Sequence, residues 1–277
     1  MKIISYYTDT GSYSAEADLY RASLRRVGMD HHIERHKDGG DWYANTRYKA
    51  RFIQKMRRRF TGPLLYIDVD AFVHENCERY FAGLESIGAD FGAHWFRGPA
   101  KGFDRSQMRD RGWWMLSGTL YIGDTPGAAR LVDTWRYMND ILFQQGVREG
   151  GGQKNLWYLT TCMGDLEIAR LPGRYCYVFD KPWAYPADEP CVIEHTIASR
   201  DHRGGNRRMN EARRERIDVL RDSITSGRAA PQPRRDAALE PLPPTLLEVR
   251  QAAGRALGDA KRAYQAACLA EREGAKE

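Results

Sequence analysis

Short, nearly unbroken apolar runs alternate along this chain with longer stretches in which apolar residues return every three or four positions. The first pattern predicts strands and the second amphipathic helices. Residues 3–7 read as a first strand. Residues 14–27 follow as a helix, with Ser14 as a candidate N-cap and Gly28 just past the end. A short strand over 31–34 precedes a helix over 46–60, which stops before Gly62 and Pro63. The run Leu64, Leu65, Tyr66, Ile67 is apolar without alternation, as in a strand buried on both faces of a parallel sheet. Further strands are predicted over 89–94 and 114–122. Asp124, Thr125 and Pro126 then open a helix reaching about 141, and residues 153–162 form another. Short strands at 168–171, 176–179 and 192–196 complete the series. Such alternation predicts an α/β fold, a mixed, mostly parallel sheet with helices on both faces.

The pattern changes beyond residue 205. Residues 206–224 carry Arg207, Arg208, Arg213, Arg214, Arg216 and Arg221 and read as a basic helix. Residues 226–244 hold Pro231, Pro233, Pro241, Pro243 and Pro244 and read as a linker. Residues 246–272 are Ala-rich, with Leu247, Ala253, Leu257, Tyr264, Ala267 and Leu269 as an apolar stripe. The expected organisation is a domain over 1–205 followed by a basic helical tail over 206–277. A solvated helix docked on the domain, or partial disorder, is the plain account of that tail. Contact with a partner, a membrane surface or nucleic acid is the competing one.

Composition narrows the class. A chain of 277 residues with 42% apolar content supports one domain with a sizeable core plus an appendage. No apolar run approaches the ~20 residues of a membrane span, and Met1 leads straight into a strand, unlike a signal peptide. The five cysteines (Cys77, Cys162, Cys176, Cys191, Cys268) contain no CxxC pair. That argues against a disulfide framework or zinc site and for a reducing cytoplasm. Of the net +6, residues from Arg203 onward contribute 16 basic against 11 acidic side chains, leaving the domain nearly neutral.

The chemistry starts where the third predicted strand stops. Asp68 and Asp70 close its apolar run, and an unpaired carboxylate inside such a sheet costs several kcal/mol. Both acids therefore belong at the strand's carboxyl end, the edge where open α/β sheets hold ligands. Hard oxygen ligands there suit Mg²⁺ or Mn²⁺, which fill the rest of their shell with phosphate oxygens. The plain alternative for Asp68, Val69 and Asp70 is a solvated turn.

Residues 65–71 resemble the DXD segment of GT-A glycosyltransferases, which use nucleotide-diphosphate sugars. Four other segments resemble that family in the same order: residues 2–9, residues 45–53 with Lys49, residues 116–122, and Ile193, Glu194 and His195 with Ser199 and Arg200 after them. The resemblance implies a metal held by Asp70, Asp68 and His195, with Asp70 the safer ligand. It places the nucleoside over Thr8, Asp9 and Thr10, with Tyr13 stacking on the base. Lys49, Ser199 and Arg200 would meet the diphosphate, with Arg203 a weaker second, and Ser117 and Gly118 would lie beside the donor sugar. Gln153 is kept where retaining members carry an Asp-Gln pair, but Gly152 replaces the acid. Asp70 and Gln153 are thus the candidate catalytic residues, and retention the expected stereochemistry. Glu194, Asp188 and Asp104 are unplaced acids, while His31, His32, His36, His74, His94 and His202 read as ordinary polar residues. Trp95, Trp113 and Trp114 suit either stacking on a ligand or core packing.

The implied activity is metal-dependent transfer from a UDP-sugar to a hydroxyl on a glycan or other biomolecule. Hydroxymethylated bases in DNA are the alternative acceptor, favoured by the basic tail and the arginines of residues 49–59, which equally suit peripheral contact with an anionic membrane. A metal-dependent nucleotidyltransferase or nuclease would also use Asp68 and Asp70. A non-enzymatic nucleic-acid binder would leave them unexplained. Truncation after Arg203 is expected to spare the donor site.

Overall fold

The computed structural model describes residues 1–9, 13–97, 113–146, 152–179, 189–198 and 207–233. Six strands form the main sheet: β1 (Lys2–Thr8), β2 (His31–His36), β3 (Leu64–Ile67), β5 (Phe91–Arg97), β6 (Trp113–Ile122) and β7 (Ile168–Arg170), in the order β2-β1-β3-β6-β5-β7. β1 runs parallel to β2 and β3, and β5 parallel to β7. Only β6 is reversed, pairing antiparallel with β3 and β5. The run Leu64–Ile67 is wholly buried, as its unbroken apolar character requires.

Side-chain alternation divides the core in two. Ile3, Leu65, Ile67 and Tyr121 face Tyr20 and Leu24 of α1 (Tyr13–Arg26) and Phe81 of α3 (Glu78–Ser86). Ile4, Leu64, Tyr66 and Leu120 face the opposite way. They pack with Phe52, Ile53 and Met56 of α2 (Trp42–Arg59), Leu131 and Trp135 of α4 (Pro126–Gln144), and Leu156 of α5 (Gly152–Cys162). Helices thus cover both faces.

Helix ends follow their caps. The Asp41 carboxylate accepts the Ala44 N–H at 2.7 Å and starts α2 four residues before the predicted position. Thr125 caps α4 through the Ala128 N–H, with Pro126 in the first turn. Ser14 lies inside α1, not at its cap, because the helix already includes Tyr13. Gly28, at φ 70°, closes the end of α1, with the Met29 N–H returning to the Leu24 carbonyl at 3.0 Å.

A second, three-stranded sheet was not anticipated. β4 (Ala71–Val73) begins directly after Asp70, pairs antiparallel with β9 (Ile193–His195), and β9 runs parallel to β8 (Tyr177–Val178). The predicted boundary at 205/206 does not separate the packing either. Ile217 and Leu220 of α6 (Arg207–Ser226) lie against Leu19 of α1 and Phe72 of β4, with Ala230 in the same cluster. The helix has an apolar face of its own, and that face fills the space above α1. The linker expected over 226–244 is docked as far as residue 233: the Gln232 amide bonds the Cys191 N–H at 2.6 Å and its carbonyl at 3.4 Å. The remainder of that linker and the Ala-rich helix lie outside the described residues. No helix among the described residues is long and apolar enough to cross a membrane.

Candidate functional site

Two linked groups of side chains gather where β3 ends. In the first, the Asp68 N–H donates to the Gly118 carbonyl at 2.8 Å, joining β3 to β6 past the end of the ladder. The Asp68 carboxylate accepts from the Tyr66 hydroxyl at 2.6 Å and faces Lys49 Nζ at 2.8 Å. Lys49 is buried on α2, donates to the Ser117 carbonyl at 2.9 Å and lies 4.8 Å from the centre of the Tyr66 ring. Ser117 in turn donates its N–H and Oγ to Gln153 Oε1, at 3.1 and 2.9 Å. Lys49 and Arg47 are the buried basic residues of α2. Arg51, Lys55 and Arg59 point outward to Asp140 and Glu34.

The second group joins Asp70 to the C-terminal segment. Asp70 Oδ2 accepts the Ala198 N–H at 2.8 Å, and its carbonyl accepts the Thr196 N–H at 2.8 Å and Oγ1 at 3.1 Å. His195 Nδ1 stands 4.0 Å from Asp70 Oδ1, while Nε2 is 2.9 Å from Thr119 Oγ1. Burial works to raise the Asp70 carboxyl, but His195, the Ala198 N–H and Arg213 together hold it below the ordinary value. Burial opposes a charged His195, and Cys176 and Asp70 outweigh it, raising the imidazole to about 10. A Cβ on Gly118 would lie 2.9 Å from His195 Cε1, so only glycine lets the ring come this close. Ile197 has φ 54°, a left-handed conformation costly for a β-branched residue, at the turn that brings the Ala198 N–H onto Asp70.

Of the other candidates, Thr8 is buried at the end of β1, and Tyr13 is half-buried at the start of α1. Asp9 is bonded by Arg35 of β2 at 3.1 Å from Nε, which holds its carboxyl below the ordinary value. Thr10, Ser199, Arg200, Arg203, His202, Asp104 and Asp188 lie outside the described residues, as do the side chains of Trp113 and Trp114. Gly152 has a packing reason: a Cβ there would stand 3.1 Å from the Thr46 carbonyl, and its own carbonyl accepts the Trp135 indole N–H at 2.8 Å. Glu194 is placed away from Asp70, bonded to His74 Nε2 at 2.8 Å and to Arg216. Burial would raise its carboxyl, and Arg216 and His74 hold it below the ordinary value instead.

Among the described residues no three His, Cys, Asp or Glu side chains converge at metal-binding distance. Asp68 is turned to Lys49, leaving Asp70 and His195 as the adjacent pair. Thr119, Thr196 and Ala198, which hold that pair, carry no sequence signal, since any hydroxyl or backbone N–H looks alike until the fold aims it.

No protein-family model matches the chain, and no curated protein does. Solved structures do. A glycosyltransferase involved in the glycosylation of the major capsid of PBCV-1 superposes with a TM-score of 0.56 at 11% identity, over 77% of this chain and 98% of that one. The glycosyltransferase GlyE of Streptococcus pneumoniae TIGR4 superposes with a TM-score of 0.50 at 13% identity, over 84% of this chain and 65% of that one. The fold is that of the GT-A glycosyltransferases, the class that the DXD segment resembles.

Proposed function

We propose that this chain is a metal-dependent glycosyltransferase. It moves a sugar from a nucleotide diphosphate, taken to be UDP, to a hydroxyl on a glycan or other biomolecule. The observation that carries the reading is the meeting of Asp70 and His195 with the Lys49–Asp68–Ser117–Gln153 network at one edge of a GT-A sheet. Mn²⁺ or Mg²⁺ takes one or two protein oxygen ligands and leaves positions for phosphate, so a carboxylate and an imidazole 4.0 Å apart suit it. Asp70 and His195 would hold that ion, the imidazole giving up its proton to do so. Bound there, it would supply the positive charge a leaving diphosphate needs.

Asp68 takes a less direct part, because Lys49 and Tyr66 already occupy its carboxylate; it is proposed to reach ribose or water. Lys49 fixes both Asp68 and Ser117, and so sets where the donor's phosphates and sugar lie. Thr8, Asp9 and Tyr13 flank the end of β1, where the nucleoside is proposed to rest. Gln153 presents an amide, which hydrogen-bonds a sugar without removing a proton; this supports retention. Two arginines that favoured DNA as the acceptor, Arg213 and Arg216, are spent on Glu16 and Glu194 within the fold, so the glycan reading stands first.

The test is UDP release from UDP-sugars with Mn²⁺ present. Asp70→Ala and EDTA are each expected to lower the rate on the order of a hundredfold or more, the scale of losing a main charge stabiliser. An unchanged rate in either arm, with the variant folded, would remove the metal reading.

A further inference from the structure

β9 is held from behind. Its side chains alternate, so His195 faces Asp70 and Thr119 while Glu194 points the other way. Arg216 meets Glu194 with a two-pronged bond, Nε to Oε1 and Nη2 to Oε2, each 2.7 Å, and Nη2 also reaches the Pro231 carbonyl at 2.7 Å. Three residues earlier on the same helical face, Arg213 donates Nε to the Thr196 carbonyl at 3.0 Å and Nη2 to the Glu16 carboxylate. Thr196 passes the restraint on, giving its N–H and hydroxyl to the Asp70 carbonyl. The residues on either side of His195 are therefore each tied to an α6 arginine. A helix needing only to be seated has Ile217 and Leu220 for that.

We infer that α6 is a working part of the donor site, with Arg213 and Arg216 as positioning residues that fix the Asp70–His195 pair from outside it. The inference rests on the glycosyltransferase reading for its consequence, but its geometry is independent of it. Arginine suits both places. At Arg216 its planar fork holds one carboxylate in a fixed orientation, and at Arg213 it spans the Thr196 carbonyl and the Glu16 carboxylate, neither of which a lysine point charge does. Loosening supports of this kind around a metal ligand costs about tenfold to a hundredfold in metal affinity.

The experiment uses the full chain and the variants Arg213→Lys and Arg216→Lys, which keep the buried charge and lose the fork. Arg228→Ala is the control, its exposed partner being Asp222. At a temperature where circular dichroism shows each protein folded, UDP binding with Mn²⁺ is titrated, and the His195 imidazole is followed by NMR without ligand. Both lysine variants are expected to bind at least tenfold more weakly and to shift the His195 signal, while the control does neither. A merely structural role would lower the melting temperature and leave both readouts in place, which would overturn the inference. Should Arg213→Lys not fold, Glu16→Gln removes the same arginine's carboxylate partner and carries the same expectation. Should the full chain bind no UDP, the glycosyltransferase reading fails, and the His195 signal alone decides the brace.

Discussion

A methyl group on Gly118 would meet the buried ring of His195 on three of its atoms, at 2.9 to 3.1 Å. The ring has Thr119 on one nitrogen and Asp70 near the other, so it cannot yield without losing one of them. Gly118→Ala is expected to cost about 1–3 kcal/mol of stability, as overpacking does. UDP–Mn²⁺ affinity should fall at least tenfold in the same protein at a temperature where it is folded. Titration beside a melting curve checks this, and equal affinity would mean that the ring does not serve the donor. At this scale Asp68, Asp70 and Lys49 were legible, because carboxylates closing an apolar strand, and a lysine matching a family segment, stand out against their surroundings. Thr196 and Ala198 were not: what they offer Asp70 is backbone N–H, which every residue but proline has, and one hydroxyl that only the fold aims.

Among the elements, α6 shows most clearly what pattern reading leaves out. Its helical period was visible, and so were its arginines, but the partner of Arg213 is Glu16, 197 positions away. Nothing local distinguishes an arginine facing solvent from one facing a buried carboxylate. β4 and α3 were missed for a simpler reason, since three and nine residues give periodicity little room. The packing of α6 argues against the expectation that truncation after Arg203 spares the donor site. A chain ending at 206 would leave Glu16 and Glu194 buried without their arginines and uncover Leu19 and Phe72. Breaking one buried pair costs roughly 3–5 kcal/mol, so two exceed what many domains can lose. Residues 1–206 are expected to show no cooperative melting transition. Residues 1–233 are expected to melt like the full chain and to bind UDP as it does, because every contact described among α6, β9 and the Asp70 turn is kept. A cooperative, UDP-binding 1–206 chain would show that α6 is an ornament.

For the molecule as a whole, the mostly parallel sheet and its two helical layers followed from short apolar runs, unbroken where a strand is buried on both faces, alternating with helical stretches. Acid stability is a property at this scale. His94 lies inside the sheet, its Nδ1 2.9 Å from the Leu171 carbonyl, and burial lowers its imidazole below the ordinary value despite that bond. Above about pH 6.5 His94 is neutral whether the chain is folded or not, and its site costs nothing. Below that value the unfolded chain takes up the proton first, so stability declines until the pH passes the lower folded value. Melting temperatures from pH 7.5 to 5 should therefore fall less steeply for His94→Gln than for the parent. Equal slopes would place the loss at other groups.

The span between Glu16 and Arg213 has a consequence in time as well as space. Asp70 meets Ala198 across 128 positions, and Thr119 meets His195 across 76. Contacts of such separation form slowly, because the loop must close before any bond rewards it. On the ribosome the six described strands of the main sheet have all emerged with β7, whereas the brace on His195 waits for α6. A nascent chain holds a nearly complete scaffold before it has a site able to grip a donor, so competence arrives in one step with α6 and not gradually along the sheet.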